Sequence, residues 1–458
     1  MSTFSLLFIA VLGIAILLFL VIFARIQAFV ALLIASLFVA LISGIPPAEI
    51  PEIIQTGMGN TLGYIAIIIG LGAMFGELLQ VSGGAEAISN TLLRRFGQDR
   101  AQWALGFTGL LIAIPVFFDV ALILFIPLVY SMARRTKRSL LYYGIPLVAG
   151  IAVAHSFIPP TPGPVAVAGL LGADLGWVIL FGLIAGIPAM IVGGIYFGKY
   201  IAHEIHVDVP ESFEDTSEGK QQEEAAEIAE AQPHKPVTFG LVAAVIGTPL
   251  VLILLNTVSE ILLPEGSALR SWLAFIGHPF VALIIATLLS FYFLGVRQGY
   301  PMREVLKFAT RSLEPVGLII LVTGAGGVFG RVLVETGIGD ALAEVAAQTA
   351  LPIIVIAFLI ATVVRVSQGS ATVSMVTAAG LIAPIVNAGD YSAPLIGAIA
   401  IAIASGATVL SHVNDSGFWL VGRFFDMDEQ QTLRSWTVME TIVGVVGFLV
   451  VLIIGFFL

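Results

Sequence analysis

Long apolar runs alternate with short polar punctuation along this chain. A helix that crosses a membrane needs about 20 predominantly apolar residues. Stretches of that kind occupy 4–24, 26–44, 60–81, 141–171 and 176–200, and then 238–258, 273–295, 315–334, 394–421 and 437–458. Within 141–171 and 394–421 the apolar pattern is interrupted by prolines or by consecutive polar residues, which predicts broken spans. Two further apolar stretches, 103–133 and 352–386, each carry a proline-marked or polar centre. At about 30 residues they are too short for two full crossings and too long for one. They predict re-entrant helical hairpins.

The pattern is stated nearly twice. Phe29-Val-Ala-Leu-Leu-Ile-Ala-Ser-Leu37 returns as Phe280-Val-Ala-Leu-Ile-Ile-Ala-Thr-Leu288, and Gly72-Ala-Met-Phe-Gly76 returns as Gly326-Gly-Val-Phe-Gly330. Gly83 and Gly337, Gly163 and Gly417, and Asp174 and Asp428 share the spacing of that second pair. Two similar halves in an apolar chain, each interrupted at a matching place, are the sequence mark of a secondary transporter.

Basic residues set the expected orientation. Arg94, Arg95 and Arg100 precede the first hairpin, and Arg134, Arg135, Lys137 and Arg138 follow it, so both of its ends belong on the cytoplasmic side. Arg297, Arg303, Lys307 and Arg311 mark a second cytoplasmic segment. The second hairpin is flanked by Glu335, Asp340, Glu344 and Asp390 and enters from outside. Five spans in each half is an odd number, so the halves have opposite orientation. The expectation is an all-α polytopic membrane protein of two inverted repeats, residues 1–203 and 237–458, with both termini outside.

Composition supports the membrane reading and narrows the chemistry. The chain of 458 residues is 58% hydrophobic and 11% charged, more apolar surface than a soluble domain can bury. Its net charge of −10 is concentrated in 204–236, which holds ten acids and two lysines. That segment reads as an acidic cytoplasmic linker, and the near-neutral remainder gives no case for nucleic-acid binding. There are no cysteines, which excludes thiol catalysis, disulfides and Cys-based metal sites. Residues 4–24 lack a basic region and a cleavage site and read as a retained span. His203 and His206 are too few for a metal centre, and no cofactor is expected. The glycines at 70, 72, 76, 324, 326, 327 and 330 imitate a dinucleotide loop, but they lie within spans, where close helix packing accounts for them.

Candidate chemistry collects at four irregular places: the hairpin tips Ile114–Asp119 and Val364–Thr372, and the breaks His155–Pro164 and Ser411–Gly417. Irregular backbone at membrane depth persists only where protein or a watery cavity satisfies it. Each break makes half-helix ends, and the end with free N–H groups attracts anions. Arg365 adds a forked cation suited to a carboxylate; the alternative is pairing with a fixed acid such as Asp415. Ser370 and Thr372 are placed to cap the second arm of hairpin two. Ser367, Gln368, Asn414, Ser416 and Thr161 offer uncharged donors and acceptors, which suits a small hydroxylated carboxylate. Asp119, His155, His412 and Asp415 are intramembrane ionisable groups and proton-site candidates.

His155-Ser-Phe-Ile-Pro-Pro-Thr-Pro-Gly-Pro164, Gln368-Gly-Ser-Ala-Thr-Val373 and Ser411-His-Val-Asn-Asp-Ser-Gly-Phe-Trp419 carry a resemblance to the gluconate permease family of the ion transporter superfamily. The likeness covers essentially the whole chain. Thr161 stands where family members often have a second histidine, and Asp119 where many have Glu. The resemblance implies proton-coupled uptake of gluconate or a related sugar acid across a bacterial inner membrane, and a homodimer. A sodium-coupled carboxylate transporter of the same architecture is the alternative. An intramembrane hydrolase built on Ser, His and Asp is the reading from another class, and no nucleophile motif supports it.

Overall fold

The computed structural model describes residues 2–97, 100–210, 237–314, 316–338, 341, 351–413 and 415–458. The linker from 211 to 236 therefore lies outside the described residues. Among the described residues the regular structure is helical throughout, with no strand. Among the described residues, eight helical stretches, some of them running through a turn or break, are long and apolar enough to cross a membrane.

The first half opens with α1 (Thr3–Ile22), α2 (Ala28–Ile42) and the long α3 (Ile50–Val81), followed by the amphipathic α4 (Gly84–Phe96). Next come two hairpin arms, α5 (Ala101–Ala113) and α6 (Phe118–Thr136), and a broken pair, α7 (Leu141–Phe157) and α8 (Pro162–Leu171). α9 (Leu175–Met190) runs through a π-helical turn, Ile191–Tyr196, into α10 (Phe197–Glu204). The second half holds α11 (Phe239–Leu262), α12 (Ala268–Gly277), α13 (Pro279–Ser290), α14 (Met302–Arg311) and the long α15 (Val316–Glu335). The second hairpin is α16 (Ile353–Gln368) and α17 (Ala371–Ala388), and the second broken pair is α18 (Ala393–Gly406) and α19 (Ser416–Phe424). A short α20 (Glu429–Thr432) and a π-helical turn, Leu433–Thr437, lead into α21 (Val438–Gly455).

Both breaks follow from local chemistry. Pro159, Pro160, Pro162 and Pro164 remove backbone donors and cannot continue a helix, so α7 ends at Phe157 and α8 restarts with Pro162 in its first turn. In the second break Asp415 caps α19, its Oδ1 accepting from Gly417 N at 3.1 Å. The tip of hairpin two is capped in the same way: Ser370 Oγ accepts from Val373 N at 3.4 Å.

Equivalent elements pack alike in the two halves. The first hairpin arm lies along the first segment of the broken pair in each, α5 on α7 and α16 on α18. The halves are joined through α8 on α17 and through α3 on α15. Gly57 meets Val328 and Arg331, Thr61 meets Gly327, and Leu62 meets Gly324. As α3 advances α15 recedes, so these two corresponding helices are antiparallel. Small residues permit the approach, since a Cβ on Gly327 would strike the Thr61 side chain. Gly76, Gly324, Gly326, Gly327 and Gly330 sit at such close approaches, as expected, whereas Gly70 has room for a side chain.

Some boundaries differ from expectation. The span expected at 60–81 begins at Ile50, because Pro51 favours a helix start and the polar residues at 55, 56, 60 and 61 fall inside the helix. The span expected at 273–295 is divided at His278, which is extended ahead of Pro279, the conformation a following proline favours. The start of the expected linker is docked: Ile205 and Val207 are buried, Leu140 N donates to the Val207 carbonyl at 2.8 Å, and Val207 N donates to Ser139 Oγ at 3.1 Å.

Candidate functional site

The two hairpin tips and the two breaks meet around one cavity of 330 Å³, within the size range of small-molecule sites. Hairpin one contributes Phe117, Phe118 and Asp119, and hairpin two contributes Ser370, Ala371 and Thr372. The first break gives His155 and Ser156, and the second gives Asp415, Ser416 and Gly417. Arg365, Trp436 and Glu440 complete the polar lining.

Three helices start at this cavity: α6 at Phe118, α17 at Ala371 and α19 at Ser416. Their first turns present backbone N–H groups and the positive ends of their dipoles. α6 has no side-chain cap. α7 ends beside them, with His155 in its last turn. The arrangement favours an anion facing the three starts, and a proton or cation near the end of α7.

Arg365 is 2% exposed, and its Nη2 lies 2.6 Å from Asp415 Oδ2, whose side chain is 12% exposed. The expected alternative of a fixed acid partner is therefore present. Asp415 is held further by the Ser411 hydroxyl, which donates to Oδ2, and by the backbone N–H of Gly417. Ser411 Oγ accepts in turn from Trp436 Nε1 at 2.7 Å, and the Ser411 carbonyl accepts from the Thr437 hydroxyl. The π-helical turn at Leu433–Thr437 offers Trp436 and Thr437 together to Ser411; such turns recur at functional sites. Arg365 Nε and Nη1 are buried and have no hydrogen-bond partner among the described residues. The guanidinium thus has donor capacity beyond its ion pair.

The predicted residues divide into distinct groups. Arg365, Ser370, Thr372, Ser416, Asp119, His155 and Asp415 line the cavity. Thr161 does not: it is buried beside the proline run, and its hydroxyl donates to the Ile158 carbonyl at 2.6 Å. His412 Nε2 lies 3.0 Å from the Val366 carbonyl and ties the second break to hairpin two. Gln368, the last residue of α16, does not line the cavity, and both of its amide atoms are buried and unpartnered among the described residues. Asn414 and the Ser367 side chain lie outside what the structure describes. Sequence reasoning missed Trp436 and Glu440. A second cleft of 590 Å³ between α4 and α6, lined by Arg94, Ser131 and Arg135 among others, holds none of the predicted residues. Among the described residues no three His, Asp or Glu side chains are grouped to hold a metal ion.

With this geometry in hand, the similarities of the chain are informative. Residues 5–457 match the GntP family permeases. The low-affinity gluconate transporter of Escherichia coli strain K12 is 43% identical over 98% of each chain. The inner membrane permease YgbN of the same strain is 41% identical, again over 98% of each chain. A gluconate permease of Pseudomonas aeruginosa is 38% identical over 94% of this chain and 93% of its own. Among solved structures, the Alcanivorax borkumensis YdaH transporter superposes with a TM-score of 0.59 over 90% of each chain at 14% identity, a likeness of fold alone.

Proposed function

The chain belongs to the GntP permease family, multi-pass inner-membrane transporters rather than enzymes, and on that premise we propose that it imports gluconate or a closely related sugar acid together with a proton. The observation that carries this reading is the convergence of three helix N-termini and Arg365 on one 330 Å³ cavity. Fixed N–H dipoles and a guanidinium suit a carboxylate. Ser370, Thr372 and Ser416 stand beside them to meet hydroxyl groups. A cavity built for a bare anion would not need that second set.

The electrical balance asks for a coupled cation. Bringing a monoanion into a negative-inside cell costs about 2.3 kcal/mol for each 100 mV. One proton per substrate cancels that cost and adds the pH gradient. Asp119, His155 and Asp415 bring ionisable groups to the same cavity. Access alternates as the hairpins and broken spans of two inverted halves move against the remaining helices. The antiparallel contact of α3 with α15 supports an inverted relation of the halves.

Uptake of labelled gluconate into proteoliposomes tests the reading. An inward proton gradient is expected to drive accumulation above the external concentration, and replacing sodium by choline is expected to leave it unchanged. Accumulation that requires sodium and ignores the proton gradient would reject proton symport.

A further inference from the structure

Glu440 is the single ionisable residue in 437–458. It lies in the first turn of α21, is 4% exposed and lines the cavity. Its Oε1 is buried with no hydrogen-bond partner among the described residues. A buried carboxylate is expensive unless it is paired or protonated. Arg365 attracts a charge on Glu440 and Asp415 repels it, but Arg365 is already engaged by Asp415 at 2.6 Å.

The other acids in the cavity are placed differently. Asp415 is fixed by Arg365, Ser411 and the Gly417 N–H, so its charge has permanent partners. Asp119 is exposed and sits in the first turn of α6, where the helix dipole supports its anion. His155 and Arg365 come from α7 and α16, both packed against α21. α9 and α18, also packed against it, carry no ionisable side chain. Tyr142 and Tyr143 lie near the other end of α7 from His155, and Arg434 and Tyr196 on the adjoining π-helical turns are exposed. Glu440 is thus the fully buried acid of the cavity, and its charge has no fixed compensation among the described residues.

We propose that Glu440 is the residue that carries the co-transported proton. Its carboxylate takes a proton from external water as the sugar acid enters, so the substrate's negative charge is added while one of the cavity's own is removed. It releases that proton to cytoplasmic water once the substrate has left. This rests on the proton-symport reading above.

The test uses the full chain in proteoliposomes with gluconate. Glu440→Gln is expected to retain gluconate counterflow, with an affinity that no longer varies with pH, and to lose accumulation driven by a proton gradient. Glu440→Asp keeps a carboxyl and is expected to restore accumulation. Accumulation like that of the unsubstituted protein in Glu440→Gln overturns the assignment. If the unsubstituted protein itself fails to accumulate under a proton gradient, symport falls first, so the two failures are distinguishable. Should Glu440→Gln not fold, infrared difference spectra of the unsubstituted protein decide. Gluconate is expected to raise a protonated-carboxyl band that survives Asp119→Asn. Absence of the band, or its loss in Asp119→Asn, overturns the proposal.

Discussion

In the proposed site, Arg365 serves structure and binding at once. Its pair with Asp415 fixes the second break against hairpin two, and its remaining donors are free of partners among the described residues. Removing the charge would leave Asp415 uncompensated, a loss of about 3–5 kcal/mol for a buried pair, so Arg365→Ala confounds folding with binding. Arg365→Lys is the sharper change, because it keeps the charge and removes the planar fork. Its gluconate affinity in a thermal-shift titration is expected to fall about tenfold, equivalent to about 1.4 kcal/mol, with the melting temperature of the empty protein little changed. Undiminished affinity would remove Arg365 from the binding site. The convergence of Arg365, Asp119, His155 and Asp415 on the cavity was legible in the sequence because each is an ionisable residue beside a visible break. Glu440 obeys the same rule of ionisable groups at membrane depth. It escaped notice because its span has no break, and nothing local reveals that α21 packs against α7 and α16.

The interruptions of the helices at 114–117, 158–161, 369–370 and 407–415 were also legible, since proline clusters and polar tips are local properties. The π-helical turns at Ile191–Tyr196, Phe291–Gly295 and Leu433–Thr437 were not. A one-residue shift in hydrogen bonding is decided by packing rather than by the sequence that undergoes it. The extended His278 had a local signal in Pro279, masked by the apolar run on both sides. Packing of elements also decides which glycines matter. A Cβ on Gly76 would collide with the Pro115 carbonyl oxygen at the tip of hairpin one, whereas one on Gly70 would meet only Leu313 Cδ2, at 3.7 Å. Gly76→Val is therefore expected to cost about 1–3 kcal/mol by overpacking, lowering the melting temperature and abolishing uptake, while Gly70→Ala leaves both intact. Equal behaviour of the two variants would show that the contact of hairpin one with α3 does not constrain the fold.

At the scale of the whole molecule, elements far apart in sequence build one site. Hairpin one and the first break come from the first half, and Arg365, Ser370, Asp415 and Glu440 come from the second. Neither half holds the cavity alone, as the proposed alternation of two inverted modules around a shared substrate requires. The absence of native cysteine provides a clean background for locating that substrate. With a single cysteine at Thr372→Cys, gluconate is expected to protect the thiol from alkylation at the concentrations that saturate uptake. Ser131→Cys in the cleft between α4 and α6 is expected to react at the same rate with and without gluconate. Undiminished alkylation of Thr372→Cys under saturating gluconate, in protein that still transports it, would place the substrate elsewhere and contradict the account.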